Sequence, residues 1–213
     1  MFISFEGIEG CGKTTQVKRL ARLLRRRGIP HVVTREPGGT PLGKLIRQML
    51  LDPAQGEMEA LAELFLYAAD RAQHMARVVR PSLEAGQWVI CDRFADATTA
   101  YQGYGRGQAL DMIQQLHQWT TGGLWPQLTM LLDCPVEVGL VRARRRMAAN
   151  NLEGREDRFE QQGHDFHEKV RKGYLELAGK NPGRFKVLDA TLEPQRLHEK
   201  VIGLLEPFLI LES

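Results

Sequence analysis

The sequence predicts an α/β fold: a P-loop domain with a five-stranded parallel sheet, helices on both faces and a mobile lid. Two observations carry this. Gly7-Ile8-Glu9-Gly10-Cys11-Gly12-Lys13-Thr14 fits G-x-x-x-x-G-K-[ST], set between an apolar run, Met1 to Glu6, and a helical stretch. Four further short apolar runs alternate with helical patterns, which means a parallel, doubly wound sheet with its strand ends on one rim.

The loop sets the first element and the first ligand. Its glycines turn backbone N–H groups inward, and the helix N-terminus adds partial positive charge, so a triphosphate fits there. Lys13 reaches the β- and γ-phosphates, and the Thr14 hydroxyl suits Mg²⁺. Val17, Leu20, Ala21 and Leu24 recur at helical spacing to about Arg27. Arg25, Arg26 and Arg27 compensate the helix dipole on a solvated face, and Gly28 and Pro30 end the helix.

His31 to Thr34 is the second strand. It delivers Arg35-Glu36-Pro37-Gly38-Gly39-Thr40, which reads equally as a ligand loop at a strand end or as a surface turn. A short helix spans Leu42 to Leu51, and a longer one runs from Glu57 to Arg80 with Leu61, Phe65, Ala68, Ala72, Met75 and Val79 on one face. On a neighbouring face Tyr67 and Arg71 are four apart. They suit a nucleobase or, equally simply, a partly buried tyrosine beside a solvated arginine.

Trp88 to Cys91 is the third strand, closed by Asp92, the position a P-loop fold uses for the Mg²⁺ shell, with Arg93 able to grip a second phosphate. Helical residues through Thr98, Thr99, Tyr101 and Gln102 lead to a flexible Gly103-Tyr104-Gly105-Arg106-Gly107. A helix from Leu110 to Thr120 precedes the fourth strand, Leu128 to Asp133. The helix after Pro135 ends in Arg142, Arg144, Arg145 and Arg146. Met147 to Glu160 reads as a lid or a plain mobile loop, so the organisation expected is one domain over 1–213 with a lid at 142–160. Phe166, Val170 and Leu177 mark a further helix, Phe185 to Leu188 the fifth strand, and Leu197 to Leu205 the last helix.

Composition narrows the partners. A net charge of +3, from 29 basic and 26 acidic residues, is too small to argue for nucleic acid. No run approaches membrane-spanning length, and three cysteines lack metal-ligand spacing, so a reduced, soluble, cytoplasmic protein is expected. Cys91 and Cys134 read as packing residues. Cys11, at a helix N-terminus beside Lys13, reads as the more reactive thiol or as a small filler.

Three arginines at strand and helix ends (Arg35, Arg71, Arg93), with no Asn-Lys-x-Asp motif for guanine, favour a small-molecule kinase. Here the resemblance becomes specific. Phe5-Glu6-Gly7 with the loop to Thr15, Thr34-Arg35-Glu36-Pro37-Gly38-Gly39-Thr40, Tyr67-Ala68-Ala69-Asp70-Arg71, Asp92-Arg93-Phe94, Thr99-Ala100-Tyr101-Gln102-Gly103 and Asp157-Arg158-Phe159-Glu160 together resemble bacterial thymidylate kinase. The resemblance implies transfer of the ATP γ-phosphoryl to dTMP, with ATP and Mg²⁺ as cofactors, in a homodimer that binds neither nucleic acid nor membrane.

The resemblance also implies roles. Gly7, Ile8, Glu9, Gly10, Cys11, Gly12, Lys13, Thr14 and Thr15 hold ATP, and Thr14 and Asp92 hold the metal. Tyr67 stacks on thymine, Arg71 contacts its carbonyl, and Thr98 and Gln102 lie in the base-reading segment. Tyr101 packs near the sugar C2′, Glu9 faces the acceptor's sugar and phosphate, Arg35 and Arg93 serve the acceptor, and Pro37 matches a proline often cis. No variable position of the P-loop is basic, so the transition-state cation is expected from Arg146 first and Arg158 second, beside Lys13 and Arg93. Cys11 and Tyr67 stand where the family commonly has Ala and Phe. Another deoxynucleotide or nucleoside kinase, or a P-loop switch, remains open as an alternative.

Overall fold

A computed structural model describes residues 1–52, 58–149, 159 and 162–209. Five parallel strands form one sheet in the order β2-β3-β1-β4-β5: β1 (Phe2–Glu6), β2 (His31–Arg35), β3 (Trp88–Asp92), β4 (Leu128–Asp133) and β5 (Phe185–Asp189). β1 is central and wholly buried, as a strand covered on both faces must be. Phe5 is in register with both Asp92 and Met130, and Arg35 with Asp92. The carboxyl ends of β1, β2 and β3 therefore bring Glu6, Arg35 and Asp92 to one rim.

Helix α1 (Lys13–Arg26) follows the glycine loop and buries Val17, Leu20, Ala21 and Leu24 against the sheet, while Arg25, Arg26 and Arg27 stay exposed. α2 (Pro41–Leu51) starts at Thr40, whose hydroxyl accepts from the Gly43 N–H at 2.9 Å.

The long helix expected from Glu57 to Arg80 is three pieces: α3 (Ala60–His74), a π-helical turn over Met75–Val79, and α4 (Arg80–Glu84). Glu57 lies outside the described residues. The expected apolar face fails in part, since Leu61, Phe65 and Ala72 are exposed whereas Leu64, Ala68, Met75 and Val79 are buried. Leu61, Phe65 and Ala72 all lie in regular helix before the π-helical turn, so the stripe fails within α3 itself. The inward face of α3 is also largely polar, with Glu63, Asp70, Arg71 and His74 buried.

A second π-helical stretch, Thr99–Gly105, follows α5 (Ala95–Thr98) and precedes α6 (Leu110–Thr121). Of the glycines read as flexible, Gly103 and Gly105 are tightly packed, whereas Gly107 is exposed with open space around it. A Cβ on Gly105 would come within 2.7 Å of the Phe166 ring. Gly105 lets this stretch lie against α8 (His164–Lys180). α7 (Val136–Ala149) runs three residues beyond the expected end at Arg146, because Met147 is buried and extends the apolar face. The proposed lid at 142–160 thus begins in helix, and 150–158 and 160 lie outside the described residues. α9 (Pro194–Leu209) packs on α1.

Candidate active site

The P-loop is shaped by backbone that only glycine adopts freely. Gly10 has φ +69°, and a Cβ there would collide with the Gly139 carbonyl of α7. Gly139 is the reciprocal half of this contact, since its own Cβ would sit 2.5 Å from the Glu9 carbonyl oxygen. The loop is thereby clamped between β1 and α7. The Lys13 ammonium donates to Gly7 O at 3.0 Å and Ile8 O at 2.8 Å, inside its own loop. Cys11 is 1% exposed with Lys13 Nζ 3.4 Å from its Sγ, as buried as the other two cysteines, so exposure does not set it apart as the more reactive thiol. Proximity to a cation does not help a thiol that reagents cannot reach. Cys91 and Cys134 are also buried and free, and burial pushes the Cys134 thiol up to about 12.

The strand end of β3 joins the two halves of the site. The Thr14 hydroxyl donates to Asp92 Oδ2 at 2.6 Å. Arg93 sits at φ +70°, a left-handed conformation uncommon for a residue with a Cβ. That turn swings its guanidinium back over the loop, donating to Gly7 O at 2.8 Å, Glu9 Oε1 at 2.9 Å and the Tyr174 hydroxyl at 3.2 Å, with the Tyr101 ring 4.8 Å away. Beneath the turn Glu6 accepts from the Phe94 N–H at 2.7 Å and from the Tyr174 hydroxyl at 2.9 Å. Burial and the nearby Asp96 push the Glu6 carboxyl up to about 8. Glu9 behaves oppositely. Burial works against its charge, but Arg93, His167, Lys13 and Tyr101 outweigh burial and hold it well below the usual carboxylate range. Its Oε1 also accepts from the Tyr101 hydroxyl at 2.6 Å, and Oε2 lies 3.3 Å from His167 Nδ1.

Deeper in, Arg71 is 1% exposed and its three nitrogens are all engaged. Nε donates to Glu36 Oε2 at 2.9 Å, Nη2 to Thr98 Oγ1 at 2.7 Å, and Nη1 to His117 Nδ1 at 3.2 Å. Burial, with Arg71 and Arg184 nearby, drives the His117 pKa well below its ordinary value, so the ring is neutral. Its Nδ1 accepts from Arg71, and Nε2–H then donates to Thr99 Oγ1 at 2.9 Å. The alternative of a solvated Arg71 is thus excluded. Glu36 also meets His74 Nδ1 at 2.8 Å, and the Glu36-Pro37 bond is cis.

Lys13, Thr14, Glu9, Gly10, Arg35, Pro37, Tyr67, Arg71, Asp92, Arg93, Thr98, Tyr101, Gln102 and Arg146 all line one open cleft, where charged groups converge beside a ring as small-ligand sites require. Of the loop, Gly7, Ile8, Cys11, Gly12 and Thr15 do not line it, and Gly7, Ile8 and Cys11 are buried. Arg146 reaches the cleft, whereas Arg142 donates to Ala190 O at 2.6 Å and Thr191 O at 3.3 Å. Arg158 lies outside the described residues. Phe159, 4% exposed, stands beside Tyr67 and Tyr101 with ring centroids 6.5 and 5.6 Å away. The residue pattern gave Glu6, Glu36, His117, His167 and Tyr174 no individual role. Glu6, a carboxylate ending a buried apolar strand, was the one visible signal; the others are brought in by helices and loops remote in sequence.

Comparison with known proteins agrees with this geometry. The family model described as thymidylate kinase matches residues 5–201. A thymidylate kinase of Desulfosudis oleivorans is 51% identical over 206 residues, 97% of this chain and 96% of that protein. One from Geotalea daltonii is 56% identical over 188 residues, 88% of each. The crystal structure of thymidylate kinase from Ehrlichia chaffeensis superposes with a TM-score of 0.77 at 34% identity, covering 97% of this chain and 98% of that one. With its P-loop, its Asp92-Arg93-Phe94 turn and its arginine-lined cleft, the chain belongs to the thymidylate kinase family.

Proposed function

We propose that this protein transfers the γ-phosphoryl of ATP to dTMP, giving dTDP and ADP, in a single domain over 1–213. The observation that carries this reading is the Asp92-Arg93 step. Asp92 touches Thr14 of the P-loop, and Arg93 crosses to Glu9, so two phosphate sites share one wall. Two anionic groups held in line against one another are what phosphoryl transfer requires.

The loop amides from Gly7 to Thr15 and Lys13 hold the ATP phosphates. The Thr14 hydroxyl and Asp92 carboxylate, 2.6 Å apart, are hard oxygen donors that fit Mg²⁺. Bound there, the ion would neutralise charge on the β- and γ-oxygens. Arg93 and Arg35 draw the acceptor phosphate opposite, Glu9 and Tyr101 face its sugar, and Tyr67 stacks on the base above Arg71, Thr98 and Gln102. Arg146, in the first part of a lid at 142–160, supplies cationic charge to the transferring group, with Arg158 second.

The same reading includes a homodimer. Leu42, Leu45 and Met49 on α2 and Leu61 and Phe65 on α3 are exposed on two neighbouring helices, an apolar surface of the kind a second copy covers. Three buried free cysteines suit the reducing cytoplasm. No helix among the described residues is long and apolar enough to cross a membrane.

The test is ADP release with dTMP, dUMP, dCMP, dGMP and thymidine as acceptors. Release stimulated foremost by dTMP is expected. Preference for thymidine would make it a nucleoside kinase, and slow hydrolysis indifferent to every acceptor would make it a switch.

A further inference from the structure

Glu63 lies in the first turn of α3, 1% exposed, behind the base end of the cleft. Its Oε1 accepts from Gln102 Nε2 at 2.9 Å and faces Arg106 Nε at 3.4 Å. Arg106 Nη2 is 3.5 Å from Oε2, and its guanidinium is itself held over the Phe159 and Phe166 rings at 5.6 and 5.0 Å. The carboxylate is therefore fixed and charge-compensated.

A glutamine amide has two ends of nearly equal shape and opposite hydrogen-bonding sense, so its partner decides which way it lies. A carboxylate has only acceptors. It can engage Gln102 through the NH₂ alone, which leaves the Gln102 carbonyl oxygen for the cleft that this residue lines. An acceptor there complements a ring N–H and opposes a ring lone pair. A pyrimidine-2,4-dione carries N–H at N3. A 4-aminopyrimidine carries a lone pair.

We propose that Glu63 is a specificity-determining positioning residue: by fixing the amide sense of Gln102, it makes the cleft select dione pyrimidine nucleotides over aminopyrimidine ones. The inference rests on the dTMP reading and adds the residue that sets its base selectivity.

Glu63→Gln replaces an acceptor-only group with one that presents either end, so Gln102 can turn its NH₂ to the cleft. The ratio of kcat/KM for dCMP to that for dTMP should rise on the order of tenfold to a hundredfold, the range of one buried unpaired polar group. The KM for ATP should be unchanged. Because Glu63→Gln strips Arg106 of its counter-charge, the double variant Glu63→Gln with Arg106→Gln is measured alongside and should show the same change. Arg106→Gln alone should keep the wild-type ratio. Gln102→Leu, which removes the acceptor and keeps the Glu63–Arg106 pair, should also raise it. A wild-type ratio in folded Glu63→Gln or in Gln102→Leu, or an equal loss with both nucleotides, would overturn the proposal. Wild-type enzyme that ignored dTMP would instead sink the functional reading itself.

Discussion

Arg93 Nη2 lies 2.9 Å from Glu9 Oε1, so the arginine assigned to the acceptor phosphate is held by the P-loop's own carboxylate. The side chains are only 18% and 11% exposed, and the pair sits at the junction of the two phosphate sites. An incoming phosphate competes with Glu9 for the same guanidinium. Arg93→Ala should raise the KM for dTMP about 10- to 100-fold, the range of a lost charge-assisted hydrogen bond, with KM for ATP nearly constant. Steady-state kinetics with each substrate varied checks this; equal effects on both would assign Arg93 to holding the loop.

Arg146 and Arg142 are one helical turn apart on α7 but face different partners. Arg142 spends its guanidinium on the Ala190 and Thr191 carbonyls, while Arg146 lines the cleft. Arg146→Ala should lower kcat by at least about tenfold, part of the 10³–10⁵ an added arginine contributes, with dTMP affinity little changed. Arg142→Ala should leave kcat within about twofold while lowering thermal stability. Equal kcat losses would show that the helix end, not one cation, matters.

Arg71→Ala is a poor probe of base recognition alone. Its guanidinium is buried against Glu36, Thr98 and His117. Removing it leaves a buried carboxylate with His74 as partner and should destabilise the protein by about 3–5 kcal/mol. Chemical denaturation measures this; a loss below about 1 kcal/mol would mean that the network relaxes freely.

Glu6 makes stability depend on pH. Its carboxyl is raised from 4.5 to about 8 in the fold, and that of Asp70 from 3.8 to about 6 by burial and Glu36, so the folded state binds more protons than the unfolded chain. The stability from these groups is fully present below their ordinary values and is lost as pH rises to about 8. Above pH 5 the unfolding free energy from these two groups should fall by about 1.4 kcal/mol per pH unit for each proton that separates the two states. At the acid end this is opposed by His117, whose lowered pKa acts with the other sign. Glu6→Gln, which cannot ionise, should flatten most of this slope, leaving the smaller Asp70 part below about pH 6. An unchanged slope in the variant would place the titration elsewhere.

Whatever the chain writes contiguously was legible in it. The Gly7 to Thr14 loop, the five strands and the Asp92-Arg93 step are each a local pattern, and the structure brings the candidate acceptor and base residues, with Glu9, Gly10, Lys13, Thr14 and Arg146, into one cleft. Less legible was what depends on buried polar faces or on distant partners. Leu61 and Phe65 look like an inward face because much of what α3 buries, Glu63, Asp70, Arg71 and His74, is polar. The π-helical stretch at Thr99–Gly105 packs Gly103 and Gly105, which look flexible in the sequence. Glu63 with Arg106, and His117 with Arg71, are separated by 43 and 46 positions, and no spacing rule couples such pairs. Family resemblance names residues that touch ligands, but not those that orient them.

The most direct test of the account follows the phosphoryl group itself. Protein mixed with γ-labelled ATP, Mg²⁺ and dTMP should move the label into dTDP, one dTDP for each ADP formed, with little inorganic phosphate. Label that accumulated as inorganic phosphate at the same rate with and without dTMP would contradict it.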